Sequence, residues 1–332
     1  MIVVSTGCPC GVGPEVSVKA AASLRGVRSL LVGDLATLRA AAKVVGVSET
    51  RLVPLGAPGA PANAISVVQA GPELSVADRR PGKPTKRSGI AQLEYIEAAY
   101  RFAKAEGGAV VSAPVSKAAI AHSGAPRASR FRGHTEWLRD LDGAAHAIMC
   151  FASPGLATSL VTTHLPLAKV PAALTKEAVR DATVELGRLL GGLERKRKRP
   201  VIAVASLNPH AGESELLGRE ENSAILPGIR LARVALGRRI DVRGPVGAET
   251  AYRLMRAGEF DGVVAMYHDQ ATIPMKLVAF GDAVNVTMGL SLVRTSVDHG
   301  TAYDIAWTGK ADPGGMIAAI RLAERLGARP HS

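Results

Sequence analysis

The chain has 332 residues, 47% of them hydrophobic, which is enough to bury a large core and more than one domain usually needs. It carries a formal charge of +12 but only 4% aromatic residues, too few for base-stacking platforms, so the charge argues for a small anionic partner rather than nucleic acid. No run of about 18 apolar residues is present to span a membrane, and three cysteines make no disulfide framework.

The N-terminus Met1-Ile2-Val3-Val4-Ser5 has no basic stretch followed by an apolar segment and cleavage site, so a cytoplasmic protein with reduced thiols is expected. Ile2 to Ser5 reads as a buried strand. Gly7 to Glu15 (G-C-P-C-G-V-G-P-E) reads as a glycine-rich turn opening a helix near Pro14. That turn is either a cradle of free N–H groups for an anion or cofactor, or simply a tight turn. Its spacing matches neither the dinucleotide-fold nor the Walker pattern.

Strand and helix then alternate. Ser29 to Gly33 is a strand, Leu35 to Val45 a helix, Ser88 to Ala105 a longer helix, and Ala109 to Ser112 a strand leading into Ser116-Lys117. Gly133 to Leu141 reads as a helix that sets His134 and Thr135 at its anion-attracting start. His146 to Phe151, Thr158 to Thr163, Val201 to Ser206 and Gly262 to Met266 read as strands. Val179 to Leu190, Ile225 to Ala235 and Ala248 to Met255 read as helices. The alternation predicts α/β layers with mainly parallel sheets, split into two lobes. Two basic runs, Arg79 to Arg87 and Arg195 to Arg199, lack interleaved aromatics and read as solvated loops.

Three apolar strands run into histidines: His164, His210 and His268. One histidine after a strand is ordinary. Three at equivalent strand ends suit a divalent metal, because the C-terminal edges of parallel strands converge and three ligands leave open positions. Farther on, Val284 to Met288 reads as a strand, and Arg294, Thr295, Asp298, His299, Gly300 and Thr301 crowd the stretch behind it. This is poor core material and good site material, although Arg294 and Asp298 also fit an i,i+4 pair on a short helix.

Taken together, T-G-C-P-C-G-V-G-P-E, G-H-T-E, T-T-H-L-P-L, N-P-H-A-G-E, M-Y-H-D-Q, V-N-V-T-M-G-L and R-T-S-V-D-H-G-T-A fall in one order nearly end to end. In that order they resemble the 4-hydroxythreonine-4-phosphate dehydrogenase (PdxA) family of vitamin B6 biosynthesis. The resemblance implies an NAD- or NADP-dependent, metal-dependent oxidation of a secondary alcohol β to a carboxylate, followed by loss of carbon dioxide. It implies an isocitrate/isopropylmalate dehydrogenase-like fold of two α/β/α lobes with the active site in the cleft, residues 1–130 and 296–332 forming the cofactor lobe and 131–295 the metal and dimer lobe. A homodimer would share the active site, with His164, His210 and His268 holding zinc, magnesium or cobalt. His134, Thr135, Lys276, Asn285 and Arg294 would bind the phosphorylated substrate, with Lys276 and then Glu249 as candidates for proton handling. D-H-G-T-A-Y-D is similar to the adenosine loop of metal-dependent decarboxylating dehydrogenases, which implies cofactor binding by His299, Gly300, Thr301, Ala302 and Asp304.

Four positions depart from the family pattern. Cys8 stands where Asp is usual, Glu249 also for Asp, Ser291 for Pro, and Ala306-Trp307-Thr308-Gly309 for A-G-x-G. Ile273-Pro274-Met275-Lys276-Leu277 is similar to relatives acting on 4-phosphoerythronate or phosphothreonate, or on aromatic cis-dihydrodiol dicarboxylates, and these remain the alternative substrates. A non-catalytic metal- or nucleic-acid-binding relative is the competing class, motivated by the charge alone.

Overall fold

The computed structural model describes residues 1–24, 26–193, 197–279 and 281–327, so part of the basic run at Arg195 to Arg199 lies outside the described residues. In chain order the elements begin with β1 (Ile2–Ser5), α1 (Gly13–Ser23), β2 (Ser29–Gly33), α2 (Leu35–Val44), β3 (Leu52–Pro54) and β4 (Ile65–Gln69). Next come α3 (Lys86–Ala105), β5 (Ala109–Ser112), α4 (Lys117–Ala121) and α5 (His134–Asp142). The middle of the chain holds β6 (Ile148–Ser153), β7 (Leu156–Leu160), α6 (Val170–Ala173), α7 (Lys176–Gly192), β8 (Val201–Ala205) and α8 (Leu226–Leu236). After these lie β9 (Asp241–Val246), α9 (Ala248–Arg256), β10 (Gly262–Ala265), α10 (His268–Ala279) and β11 (Val284–Met288), and the chain closes with β12 (Arg294–Ser296) and α11 (Gly314–Gly327).

These divide into two compact units, Met1–Ala145 with Leu290–Ser332, and His146–Gly289. The crossings expected near Phe131 and Thr295 fall after Ala145 and after Gly289. Packing decides this: Trp137 and Leu138 of α5, and Leu292 ahead of β12, are buried in one cluster with Tyr95, Ile96 and Tyr100 of α3. Burying side chains of that size contributes about 1.5 to 3 kcal/mol each, which ties α5 to the first unit.

In the first unit the strand order is β3-β4-β2-β1-β5-β12. Every pair is parallel. Val3, Val4, Leu31, Val32, Val110 and Val111 are buried, as strands covered by helices on both faces require. Caps set the helix starts: Asp34 accepts the Thr37 N–H at 2.8 Å, and Thr85 and Ser88 form a reciprocal capping box on α3.

In the second unit the order is β11-β6-β7-β10-β8-β9. β7, β10, β8 and β9 are parallel neighbours, whereas β11 and β6 run antiparallel, as do β6 and β7. The mainly parallel α/β architecture expected from the alternation is therefore observed. The helix at α10 was not expected, and the short helix through Arg294 and Asp298 is excluded, since Arg294–Ser296 pairs with Val110–Ser112 as strand.

Candidate active site

The adjacency of β7, β10 and β8, all parallel, brings the ends that lead to His164, His268 and His210 to one edge of the second unit. Side-chain bonds tie these ends together. The Thr162 hydroxyl donates to the Met266 carbonyl (2.7 Å), and Gln270 accepts the Met266 N–H (2.7 Å) while donating to the Ser206 carbonyl (2.8 Å). Buried Glu221 accepts the N–H groups of Leu207 and Asn208 at 2.9 and 2.8 Å, shaping the turn before His210. Thr162, Gln270 and Glu221 were not singled out from sequence, although Thr162 opens T-T-H-L-P-L and Gln270 closes M-Y-H-D-Q; Glu221 lies in neither.

The rings of His164 and His268 lie 5.6 Å apart between centroids, tilted by 41°. His268 sets Nδ1 2.7 Å from the Asp269 carboxylate, the second-sphere bond that orients a ligating imidazole and leaves Nε2 for a cation. The donor chemistry of this pair fits a divalent transition metal. His210, at φ 52°, is not brought into a ligand group with them: among the described residues no three His, Cys, Asp or Glu side chains are placed to hold a metal ion.

In the first unit, β12 carries Arg294 and α5 presents His134 and Thr135 at its N-terminus. Arg294 is only 3% exposed, and its Nε donates to the Ser112 hydroxyl at 3.3 Å. Burial lowers its guanidinium to about 10, opposed by the Glu136 carboxylate. The imidazole of His134 is held well below its ordinary range, first by burial and then by the charges of Arg294 and Lys117. Its Nε2 is shut from solvent and finds no hydrogen-bond partner among the described residues. A Cβ placed on Gly133 would lie 2.9 Å from the Glu136 carboxylate and 3.6 Å from the Lys117 ammonium, so both groups sit at the helix start, and the charge of Arg294 is felt by His134 and Glu136 alike. The charges of Lys117, Arg294 and Glu136 gather around that helix N-terminus, whose free N–H groups, with the orphaned His134 Nε2, suit an anion. Lys117 and Glu136 were not singled out from sequence, although Glu136 closes the G-H-T-E motif and Lys117 ends the strand-end run from Ser112, and these were the available signals.

The remaining candidates are more exposed. His299, Gly300 and Asp304 face solvent, Gly300 has open space around its Cα, and Ala302 adopts φ 44°; an exposed loop with imidazole, hydroxyl and carboxylate groups fits a nucleotide laid along it. Lys276 lies exposed on α10, eight residues after His268, or about 12 Å of axial rise. Glu249 is 77% exposed on its side chain and pairs with Arg253 at 3.1 Å. Asn285, on β11, keeps a buried amide oxygen with no partner among the described residues.

The glycine-rich N-terminal turn is not an anion cradle. Residues 7–13 are buried, and the Cys8, Gly11 and Val12 N–H groups are spent on the carbonyls of Pro114, Cys8 and Thr301. Gly7, at φ 75°, admits no side chain, since a Cβ would meet the Pro114 carbonyl at 2.4 Å. The departures are locally satisfied. Cys8 Sγ lies 3.6 Å from the Tyr303 hydroxyl, and the Ser291 N–H, which proline would lack, donates to Asp142 at 2.7 Å.

The family model for the pyridoxal phosphate biosynthetic protein PdxA matches residues 26–323. A 4-hydroxythreonine-4-phosphate dehydrogenase of Xanthobacter autotrophicus is 39% identical, over 98% of this chain and 93% of its own. A putative D-threonate 4-phosphate dehydrogenase of Bradyrhizobium diazoefficiens is 38% identical over 98% and 96%. The crystal structure of 4-hydroxythreonine-4-phosphate dehydrogenase from Klebsiella pneumoniae superposes with a TM-score of 0.82 at 34% identity, covering 99% of this chain and 98% of that one.

Proposed function

The chain belongs to the PdxA family, and from that premise we propose that it is an NAD- or NADP-dependent oxidoreductase that oxidises and decarboxylates 4-hydroxythreonine 4-phosphate. The observation that carries the substrate is the orphaned His134 Nε2 at a helix N-terminus, beside the buried Arg294 guanidinium, a setting that suits an anion. Arg294 grips the phosphate with planar donors, His134 and Thr135 add further hydrogen bonds, and Lys117 supplies a second cation. The buried Asn285 amide oxygen is an acceptor and suits the ammonium or hydroxyl of the substrate.

His164, His268 and His210 are the proposed metal ligands, with zinc, magnesium or cobalt as the candidates. Because the described residues of one chain bring His164 and His268 together but no third ligand, we propose that a homodimer completes the set. A bound divalent cation supplies Lewis acidity toward the alcohol oxygen and the carbonyl that replaces it, and the nicotinamide supplies the hydride acceptor. Asp269 holds the His268 tautomer. Lys276 is the first candidate to move a proton, and Glu249 the second, because its carboxylate is solvent-screened and already paired with Arg253. The loop from His299 to Asp304, through Gly300, Thr301 and Ala302, takes the adenosine of the cofactor.

D-threonate 4-phosphate is the second reading. A relative of that name is almost as similar as those named for 4-hydroxythreonine 4-phosphate, and it differs at the group Asn285 would read rather than at the phosphate. Metal-loaded protein is screened for reduced-cofactor absorbance with 4-hydroxythreonine 4-phosphate, D-threonate 4-phosphate and a cis-dihydrodiol dicarboxylate. Turnover of the phosphorylated amino acid with the highest kcat/KM is expected. Turnover of the dihydrodiol alone overturns the reading.

A further inference from the structure

The turn at Cys8 to Glu15 and the start of α1 are stitched to the proposed adenosine loop and the segment that follows it, nearly 300 residues later in sequence. The Val12 N–H donates to the Thr301 carbonyl at 3.0 Å, and the Trp307 indole N–H to the Pro9 carbonyl at 2.9 Å. The Lys19 ammonium donates to the carbonyls of Gly309 and Ala311 at 2.6 and 2.7 Å. At the centre is Glu15, which is 0% exposed. Its two oxygens accept the backbone N–H groups of Trp307 at 2.5 Å and Gly309 at 2.7 Å.

A fully buried carboxylate is costly unless its oxygens are satisfied, and here both are satisfied by one turn. The turn itself is strained. Trp307 holds φ 63°, a left-handed conformation that a bulky side chain adopts only when its surroundings over-determine it. Glu15 from below, Lys19 on the carbonyl side and the indole bond to Pro9 are that over-determination. None of these groups reaches the pocket of Arg294 and His134 by any hydrogen bond described.

We infer that Glu15 is a positioning residue for the nicotinamide cofactor: by clamping the N–H groups of Trp307 and Gly309 it fixes the backbone of the His299–Asp304 loop in its cofactor-binding form. Lys19 acts as the second jaw. The inference rests on the reading that this loop binds the cofactor. An amide at position 15 keeps the shape but sets an NH2 group against one of the two backbone donors, so Glu15→Gln releases one side of the turn.

The test uses full-length protein in a Trp137→Phe background, leaving Trp307 as the sole tryptophan. NAD and NADP are titrated calorimetrically and by Trp307 emission, and inorganic phosphate by thermal shift. In the parent, cofactor is expected to bind and to change Trp307 emission. Glu15→Gln is expected to weaken cofactor binding roughly ten- to a hundredfold, the effect of losing a charge-assisted hydrogen bond, and to raise the cofactor KM with kcat and the phosphate shift little changed. Lys19→Met should move the same quantities in the same direction by a smaller factor, and it carries the test if Glu15→Gln does not fold. A parent that binds neither cofactor, or binds one with Trp307 silent, overturns the loop assignment and the inference with it. A parent that binds with a Trp307 response, while Glu15→Gln or a folded Lys19→Met retains parental affinity, overturns the positioning role alone.

Discussion

Arg294→Lys isolates the anion grip. In the structure the guanidinium is 3% exposed, anchored through Nε to Ser112, and close enough to His134 to depress its imidazole. Lysine keeps the charge but has a single ammonium on a longer, freer stem, so it cannot both bond Ser112 and present a planar fork to a phosphate. The loss is that of one charge-assisted contact, about 1.5 to 3 kcal/mol, or roughly ten- to a hundredfold in kcat/KM. The assay is steady-state kinetics of Arg294→Lys with 4-hydroxythreonine 4-phosphate and with its phosphate-free analogue. The phosphorylated substrate should suffer the full loss and the analogue little of it. Equal losses with both would show that Arg294 does not read the phosphate, and a salt-sensitive loss below about 1 kcal/mol would place it in a surface role.

Three further outcomes are expected. Because the folded state holds the His134 pKa below that of the unfolded chain, the unfolded state binds the extra proton as pH falls below about 6.5. Stability is therefore lost on acidification, and His134→Gln should flatten the denaturation midpoint between pH 7 and 5 by at most about 1.4 kcal/mol per pH unit. Ser291→Pro removes the N–H and hydroxyl that Asp142 accepts, leaving it Tyr100 and Lys104, and should cost about 1 to 3 kcal/mol in urea titrations. Burial raises the Asp142 carboxyl, but hydrogen bonds from Ser291, Tyr100 and Lys104 together lower it to about 2, so its contribution is full above pH 4 and fades as pH falls through 2; a difference between variant and parent as large at pH 2 as at pH 7 would contradict the assignment. Chelation, or His210→Ala, should remove metal and turnover while circular dichroism stays unchanged. If metal content and rate both survive the substitution, His210 is not a ligand.

Much of this protein is legible locally. Buried runs such as Val3-Val4, Leu30-Leu31-Val32 and Val110-Val111 announce covered parallel strands, because a strand with helices on both faces has no polar side to show. Caps such as Asp34 and Thr85 mark helix starts from their own hydrogen-bonding chemistry. Histidines after three strands are also readable, and the pairing of β7, β10 and β8 places them at one sheet edge. What no local pattern carries is which of those histidines meet. Only the tertiary structure pairs His164 with His268 and leaves His210 apart. It also turns the N-terminal glycine motif from a possible cradle into a buried turn, adds Lys117 and Glu136 to the Arg294 pocket, and closes Glu15 on Trp307 and Gly309. The physical reason is range. Periodicity and capping are set by neighbours within a turn or two of chain, whereas a buried polar group takes whatever partner folding delivers, and for Glu15 that partner lies at the far end of the sequence.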